Sequence, residues 1–327
     1  MSQLTTGLEH KVTGMRIPTR PAHRFTSHDP SHPPVSPATV FKWGVVDRLL
    51  RRRHIADPLP GAPVVAPDIE RLRVPTDSPR LTWIGHASFL LQLAGRGIVI
   101  DPVMSRRLGV YPRHTPPGLD PEQLPRIDAL LISHNHYDHL DVPTLRRLPK
   151  DLWVGVPLGL GELVRRLGFL DVHELDWWQS LWLNGLRISF VPARHWSRRG
   201  LFDVNRSLWG GWVVESTEHT VYHAGDSAYF DGFAEIGRRF PGIGIAMLPV
   251  GSYAPGWFME HHHMTPEQAG QAFVDLGAET FVPMHWGTFQ LTDETLCEPV
   301  QRIRAWFERE RPAGELRELA VGESLEI

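Results

Sequence analysis

The chain has 327 residues, 42% hydrophobic and 22% charged, with a formal net charge of −3. That length allows one large domain or two ordinary ones, and that charge supplies no global basic field to gather a nucleic acid backbone. A single cysteine, Cys297, excludes an intrachain disulfide and cysteine-rich zinc sites, and with no apolar signal core and no run of about 18 apolar residues the expectation is a soluble, cytoplasmic protein.

Residues 1–38 are rich in Pro, His and Ser and have little to bury, so an extended arm or partial disorder is expected there. Residues 39–53, "TVFKWGVVDRLLRRR", combine helix-like apolar spacing with a basic end. This suits a helix that docks on the body or lies on a membrane surface. From Arg80 the pattern turns to strands. "LTWIGHASFLLQL" and "GIVIDP" are punctuated by Gly85 and by Gly95-Arg96-Gly97. Further strands are predicted at 128–133, 152–156, 186–193, 209–216, 219–225, 245–250 and 280–285, and helices at 142–148, 159–167, 229–239, 265–276 and 295–309. Hairpin-like strands followed by strands mixed with helices indicate a two-layered sheet core covered by helices.

The densest chemistry is "LLISHNHYDHLD", Leu130 to Asp141, where His134, His136, Asp138 and His139 fall within six residues directly after a strand. Residues two apart in an extended segment share a side, so one such loop can serve two adjacent metal ions. Imidazole and carboxylate suit zinc, and also iron or manganese. One loop cannot fill two coordination shells. The missing ligands are sought at strand ends, where His195, Asp226 and His285 qualify. His134, His136, His195 and Asp226 then form one set, and Asp138, His139, His285 and the same Asp226 the other, with Asp226 bridging. Paired divalent ions activate water near neutral pH and polarise a phosphoryl or carbonyl oxygen, so hydrolysis is the expected reaction class. Thr265 with Gln268 forms a capping-box pattern around Pro266, which places His263 just before a helix N-terminus, where anions are favoured and a hydrogen bond can be given to a substrate oxygen. Asp101 ends a strand near the motif loop and suits a role in orienting a ligand imidazole.

The motif "SHNHYDH", followed by His195, Asp226 and His285, resembles the metallo-β-lactamase superfamily of four-layer αββα sandwich hydrolases. "ELDWWQ", "AGDSAYF", "WFMEHHHMTPEQA" and "MHWGTFQLTDE" are similar to its N-acyl-phosphatidylethanolamine-hydrolysing phospholipase D branch. The resemblance spans about residues 80 to 300 and implies an α/β sandwich hydrolase domain over 76–327, preceded by an arm and helix over 1–75. It implies two Zn2+ ions on the seven residues just derived, with Asp226 and His263 acting in catalysis. The implied reaction is phosphodiester cleavage in N-acyl-phosphatidylethanolamine or a related phospholipid. The alternative is another substrate of the same scaffold: a lactone, cyclic sugar phosphate, organophosphate, β-lactam or thioester. Two stretches depart from the branch and are expected at the substrate mouth: the shorter loop after Asp101, and Glu260, His261 and His262. Redox di-iron relatives carry Glu at the second motif histidine, and His136 there favours hydrolysis. The expected partners are a small-molecule or phospholipid substrate and no nucleic acid. A peripheral membrane contact, through Trp43, Val45, Val46, Leu49 and Leu50, and a homodimer are compatible with the chain.

Overall fold

A computed structural model describes residues 24–26, 42–46, 50 and 60–326. In chain order the strands are β1 (Arg80–Gly85), β2 (Ser88–Leu93), β3 (Arg96–Ile100), β4 (Arg107–Leu108), β5 (Tyr111–Pro112), β6 (Ala129–Leu131), β7 (Trp153–Pro157) and β8 (Asp171–Leu175). They continue as β9 (Ser180–Leu183), β10 (Leu186–Val191), β11 (Gly211–Glu215), β12 (Thr220–His223), β13 (Ile243–Pro249), β14 (Thr280–Met284), β15 (Glu315–Leu316) and β16 (Ser324–Glu326). The α-helices are α1 (Ile69–Leu72), α2 (Val142–Arg147), α3 (Gly161–Arg166), α4 (Gly232–Arg239), α5 (Gly256–Met259), α6 (Pro266–Leu276) and α7 (Glu298–Glu310).

Two mixed sheets form the centre, ordered β16-β1-β2-β3-β6-β7-β8 and β15-β14-β13-β12-β11-β10-β9. Strand alternation explains the layering. Phe89, Leu91 and Leu93 of β2, Ile98 and Ile100 of β3, and Ala129 and Leu131 of β6 join the core that also holds Ile188, Phe190 and Trp212 of the second sheet. The intervening Leu90, Val99 and Leu130 face the other way and pack with Leu145 of α2 and Val164 of α3. On the far side of the second sheet, Ala269, Ala272 and Phe273 of α6 pack with Ile303 and Trp306 of α7. Each fully buried Leu or Phe side chain stabilises by ~1.5–3 kcal/mol, which makes this stacked interior the main source of stability. The result is the α/β sandwich that the sequence implies, helices outside two facing sheets.

Local signals account for individual elements. Thr265 accepts from the backbone of Gln268 while the Gln268 side chain accepts from the Thr265 backbone, and Gly277 ends α6 at φ 63°. In the middle of α6 a Cβ on Gly270 would stand 2.5 Å from the Trp306 ring, so glycine there lets α7 pack close. Strands β4, β5, β8, β9, β15 and β16 lie outside the predicted set. The β9–β10 hairpin turns through Asn184-Gly185, both at positive φ, the pair that a two-residue hairpin loop prefers.

The N-terminal readings are only partly covered by the described residues. Lys42–Val46 forms one π-helical turn, and Trp43 is buried against Phe258 and Met259 of α5. Leu50 is exposed, while Leu49 and the rest of the predicted 39–53 helix, and the side chain of Val45, lie outside the description. Of the 1–38 arm, Phe25 is described: its backbone donates to the Asn205 carbonyl and its ring packs on the main core. Among the described residues no helix is long and apolar enough to cross a membrane.

Candidate metal centre

The site lies at one edge of the sandwich. β1, β3 and β6 run in the same direction in the first sheet, as do β10, β12, β13 and β14 in the second. Their C-terminal ends deliver His86, Asp101, the motif loop, His195, Asp226, Ser252 and His285. Open sheets that contain parallel strands place ligands at this end. His86, Asp101, Ser252 and His285 all adopt left-handed backbone, with φ of 56°, 44°, 63° and 65°. Such conformations cost about 1–3 kcal/mol each in non-glycine residues and persist where the surroundings fix them, commonly at functional sites.

The chain brings together every site residue named from the sequence. Ligating atoms of His134, His136, His195 and Asp226 lie within 4.8 Å of one another, and so do those of His86, Asp138, His139 and His285. Asp226 sits between the groups: its Oδ2 is 3.0 Å from His139 Nε2 and 3.2 Å from His285 Nε2, and 3.8 Å from the Nε2 atoms of both His134 and His195. His263 forms a further group with Asp226 and His285.

Ring tautomers show whether the site fits a cation. His139 Nδ1 donates to Asp101 Oδ2 at 2.7 Å and His195 Nδ1 to the His262 carbonyl at 2.8 Å. His134 Nδ1 lies 2.9 Å from Ser133 Oγ, which itself donates to Asp101, and His285 Nδ1 lies 3.3 Å from Ser252 Oγ. With Nδ1 carrying the proton, each Nε2 presents a lone pair to the centre. His134 Nε2 and His195 Nε2 then converge on His136 Nδ1, at 2.9 and 3.2 Å. His139 Nε2, His285 Nε2 and Asp226 Oδ1 are buried with no hydrogen-bond partner. Lone pairs and a buried carboxylate facing one another repel unless positive charge lies among them, so the donor set fits divalent cations.

The same demand for positive charge shows in the proton affinities: with no cation present, the carboxylates favour a second proton on His139 and His285 in place of the lone pair. Burial pushes His134 and His195 well below the usual imidazole value, and His136 to about 4. At His139 and His285 burial is outweighed by the carboxylates of Asp226 and Asp138, and the pKa rises, to about 9 for His285. Burial opposes ionisation of Asp226, but His139 and His285 hold it well below the usual carboxylate range. Negative charge is therefore concentrated where the second group meets the first.

Further residues complete the arrangement. Asp101 accepts from the backbone N–H and Oγ of Ser133 as well as from His139, the orienting position expected from its place at the end of β3. Buried Glu294 accepts from the backbones of Ser252 and Ala254 and from Thr292 Oγ1, which fixes the loop carrying Ser252. His86 escaped the sequence reading, although it too follows directly on a strand end, in "WIGHAS", where the rule that selected His195 applies. Over the site opens a cavity of about 220 Å³. Asp138, Asp226, His263 and His285 line its polar part, and Trp43, Phe258, Met259 and Leu291 its apolar part. His262 lines it as well, one of the two divergent stretches expected at the substrate mouth.

The sequence profile of the beta-lactamase superfamily domain matches residues 96–286. The chain belongs to the metallo-β-lactamase superfamily. Within this superfamily it is 37% identical to an uncharacterized protein of Mycobacterium tuberculosis, over 84% of this chain and 78% of the other. It is 35% identical to N-acyl-phosphatidylethanolamine-hydrolyzing phospholipase D 1 of Caenorhabditis elegans, over 68% of each chain. Among solved structures, Igni18, a metallo hydrolase of Ignicoccus hospitalis, superposes with a TM-score of 0.60 at 25% identity, covering 76% of this chain and 98% of that one. With the His/Asp clusters, these likenesses make the chain a metal-dependent hydrolase of the metallo-β-lactamase fold.

Proposed function

We propose that the chain is a dizinc phosphodiesterase of the phospholipase D type, acting on N-acyl-phosphatidylethanolamine or a related phospholipid. The observation that carries this reading is the two-sided cavity, with carboxylates and imidazoles on one part and Trp43, Phe258, Met259 and Leu291 on the other. An amphipathic phosphodiester matches both parts at once. The likeness to the nematode enzyme supports the same substrate class.

His134, His136 and His195 would hold one ion, Asp138, His139 and His285 the other, and Asp226 both. When bound, a pair of zinc ions activates water for attack and polarises the phosphoryl group. The chain's own residues do the rest. Asp226 Oδ2 lies between the two ligand sets, against His139 and His285 of one and 3.8 Å from His134 and His195 of the other. His263 Nδ1 is buried without a partner, and the residue lines the cavity directly before the N-terminus of α6. A neutral imidazole there donates to a phosphate oxygen, and the helix end favours the anion. Water adds to phosphorus, the headgroup-side P–O bond breaks, and the products are phosphatidic acid and an N-acylethanolamine, whose oxygen takes up the proton the water gives up. Trp43 and α5 shield the reacting group from solvent and receive acyl chain. A lipid substrate also implies contact with a membrane surface at the cavity mouth.

The test is turnover of detergent-dispersed N-acyl-phosphatidylethanolamine by zinc-loaded protein, compared with a panel of lactones, cyclic sugar phosphates, organophosphates, β-lactams and thioesters. Release of N-acylethanolamine is expected. No phospholipid turnover alongside brisk hydrolysis of one panel member would replace this substrate with that one.

A further inference from the structure

We infer that His86 is a positioning residue of the second ligand set: it donates from Nε2 to the Asp138 carboxylate and does not itself bind an ion. The inference rests on the paired-ion reading of the site and concerns a residue that reading does not use.

His86 is fully buried in the turn between β1 and β2. Its Nε2 lies 3.1 Å from Asp138 Oδ2, and its ring centroid lies 4.0 Å from that of His285. By distance alone it qualifies as a ligand alongside Asp138, His139 and His285. The hydrogen bonding separates it from them. A metal-binding imidazole commonly gives its other N–H to an acceptor; in the second set His139 and His285 each have an oxygen within reach of Nδ1, while in the first set His136, which faces its partners through Nδ1, leaves Nε2 buried without one. His86 Nδ1 is buried with no hydrogen-bond partner. Were Nε2 to bind an ion, an N–H would be stranded at Nδ1, and an unmet buried donor costs about 1–3 kcal/mol. With Nε2 protonated and given to Asp138, only a ring lone pair is left unmet.

The backbone of His86 is anchored independently of its imidazole. Its N–H donates to Thr288 Oγ1 at 2.8 Å, and its carbonyl accepts from Trp83 Nε1 at 2.9 Å and from the His285 backbone at 3.1 Å. These bonds tie the β1–β2 turn of the first sheet to the end of β14 in the second. They use only backbone atoms of His86, so variants at this position are expected to retain the turn. The imidazole holds the Asp138 carboxylate in register with His139 and His285 across the junction of the two sheets.

Competition titration of metal-free protein with zinc against a chromophoric chelator tests the inference. Wild type should take two equivalents. H86F should keep the first unchanged and bind the second about 10- to 100-fold more weakly, the loss typical of removing such a partner. H86Q, which retains a donor, should recover most of that loss. Unchanged binding of both equivalents by H86F, or H86Q as weak as H86F, would overturn the inference. Fewer than two equivalents on wild type would instead overturn the paired-ion reading beneath it. A second measurement needs no substitution: nitrogen-15 imidazole shifts of the zinc-loaded protein should show His86 as the Nε2–H tautomer, and a metal-shifted Nε2 would refute the assignment.

Discussion

His139 donates from Nδ1 to Oδ2 of Asp101 at 2.7 Å, with both side chains fully shielded from solvent. Asp101 thereby decides which nitrogen of His139 faces the centre. D101A should weaken metal binding at the second set about 10- to 100-fold. D101N should lose affinity too, because an amide NH2 would face one of the three donors now directed at the carboxylate. Chelator competition measures both, and wild-type affinity in D101N would show that the acceptor count does not matter.

Trp43 packs on Phe258 with ring centroids 4.9 Å apart and lines the apolar part of the cavity. W43A should reduce kcat/KM for a long-chain phospholipid by about tenfold, ~1.4 kcal/mol of lost transition-state binding. Hydrolysis of a small chromogenic phosphodiester should change far less. Equal losses on both substrates would place Trp43 in the fold rather than in chain recognition.

Thr265 caps the helix that follows His263. T265A should lower unfolding free energy by about 0.5–2 kcal/mol, read from the denaturant midpoint at constant m-value. No shift would mean that packing of α6 alone fixes its start.

Glu326 of β16 is held down to about 2 by its bonds to Arg71 and Arg80. A carboxylate depressed in the fold stabilises above its unfolded value and loses that contribution as pH falls toward the folded value. E326Q should therefore lower the melting temperature at pH 7, with the difference shrinking between about pH 4.5 and pH 2. The group is partly exposed, so the effect at pH 7 should stay below about 1 kcal/mol. A difference constant across that range would assign the loss to packing of β16.

Much of the site is legible in the sequence because its chemistry is local to strand ends. His134, His136, Asp138 and His139 share one loop, and His195, Asp226 and His285 each follow directly on a strand or within a few residues of one. His86 obeys the same rule yet stands alone in its turn, with no neighbouring ligand to draw attention to it. Only the fold reveals that β1 and β14 end side by side. The two-layered core follows from the order of strand and helix patterns, and its four-layer form from the family resemblance, whereas β8, with three of its five residues half-buried, offers no clear strand signal. β16 is three residues long and pairs with β1 from the far end of the chain, a distance that no local pattern encodes. Asn184-Gly185 is a readable turn signal for β9, but the strand is four residues long and its Leu181-Trp182-Leu183 run shows no alternation. The dual character of the cavity depends on Trp43, which meets Phe258 from more than two hundred residues away.

Anomalous diffraction from crystals of zinc-loaded protein shows whether Asp226 joins two ions. Two peaks roughly 3.5–4 Å apart are expected, one among His134, His136 and His195, the other among Asp138, His139 and His285, with an Asp226 carboxylate oxygen within bonding distance of each. A single fully occupied peak, or two peaks with Asp226 bound to neither, would contradict the bridging role.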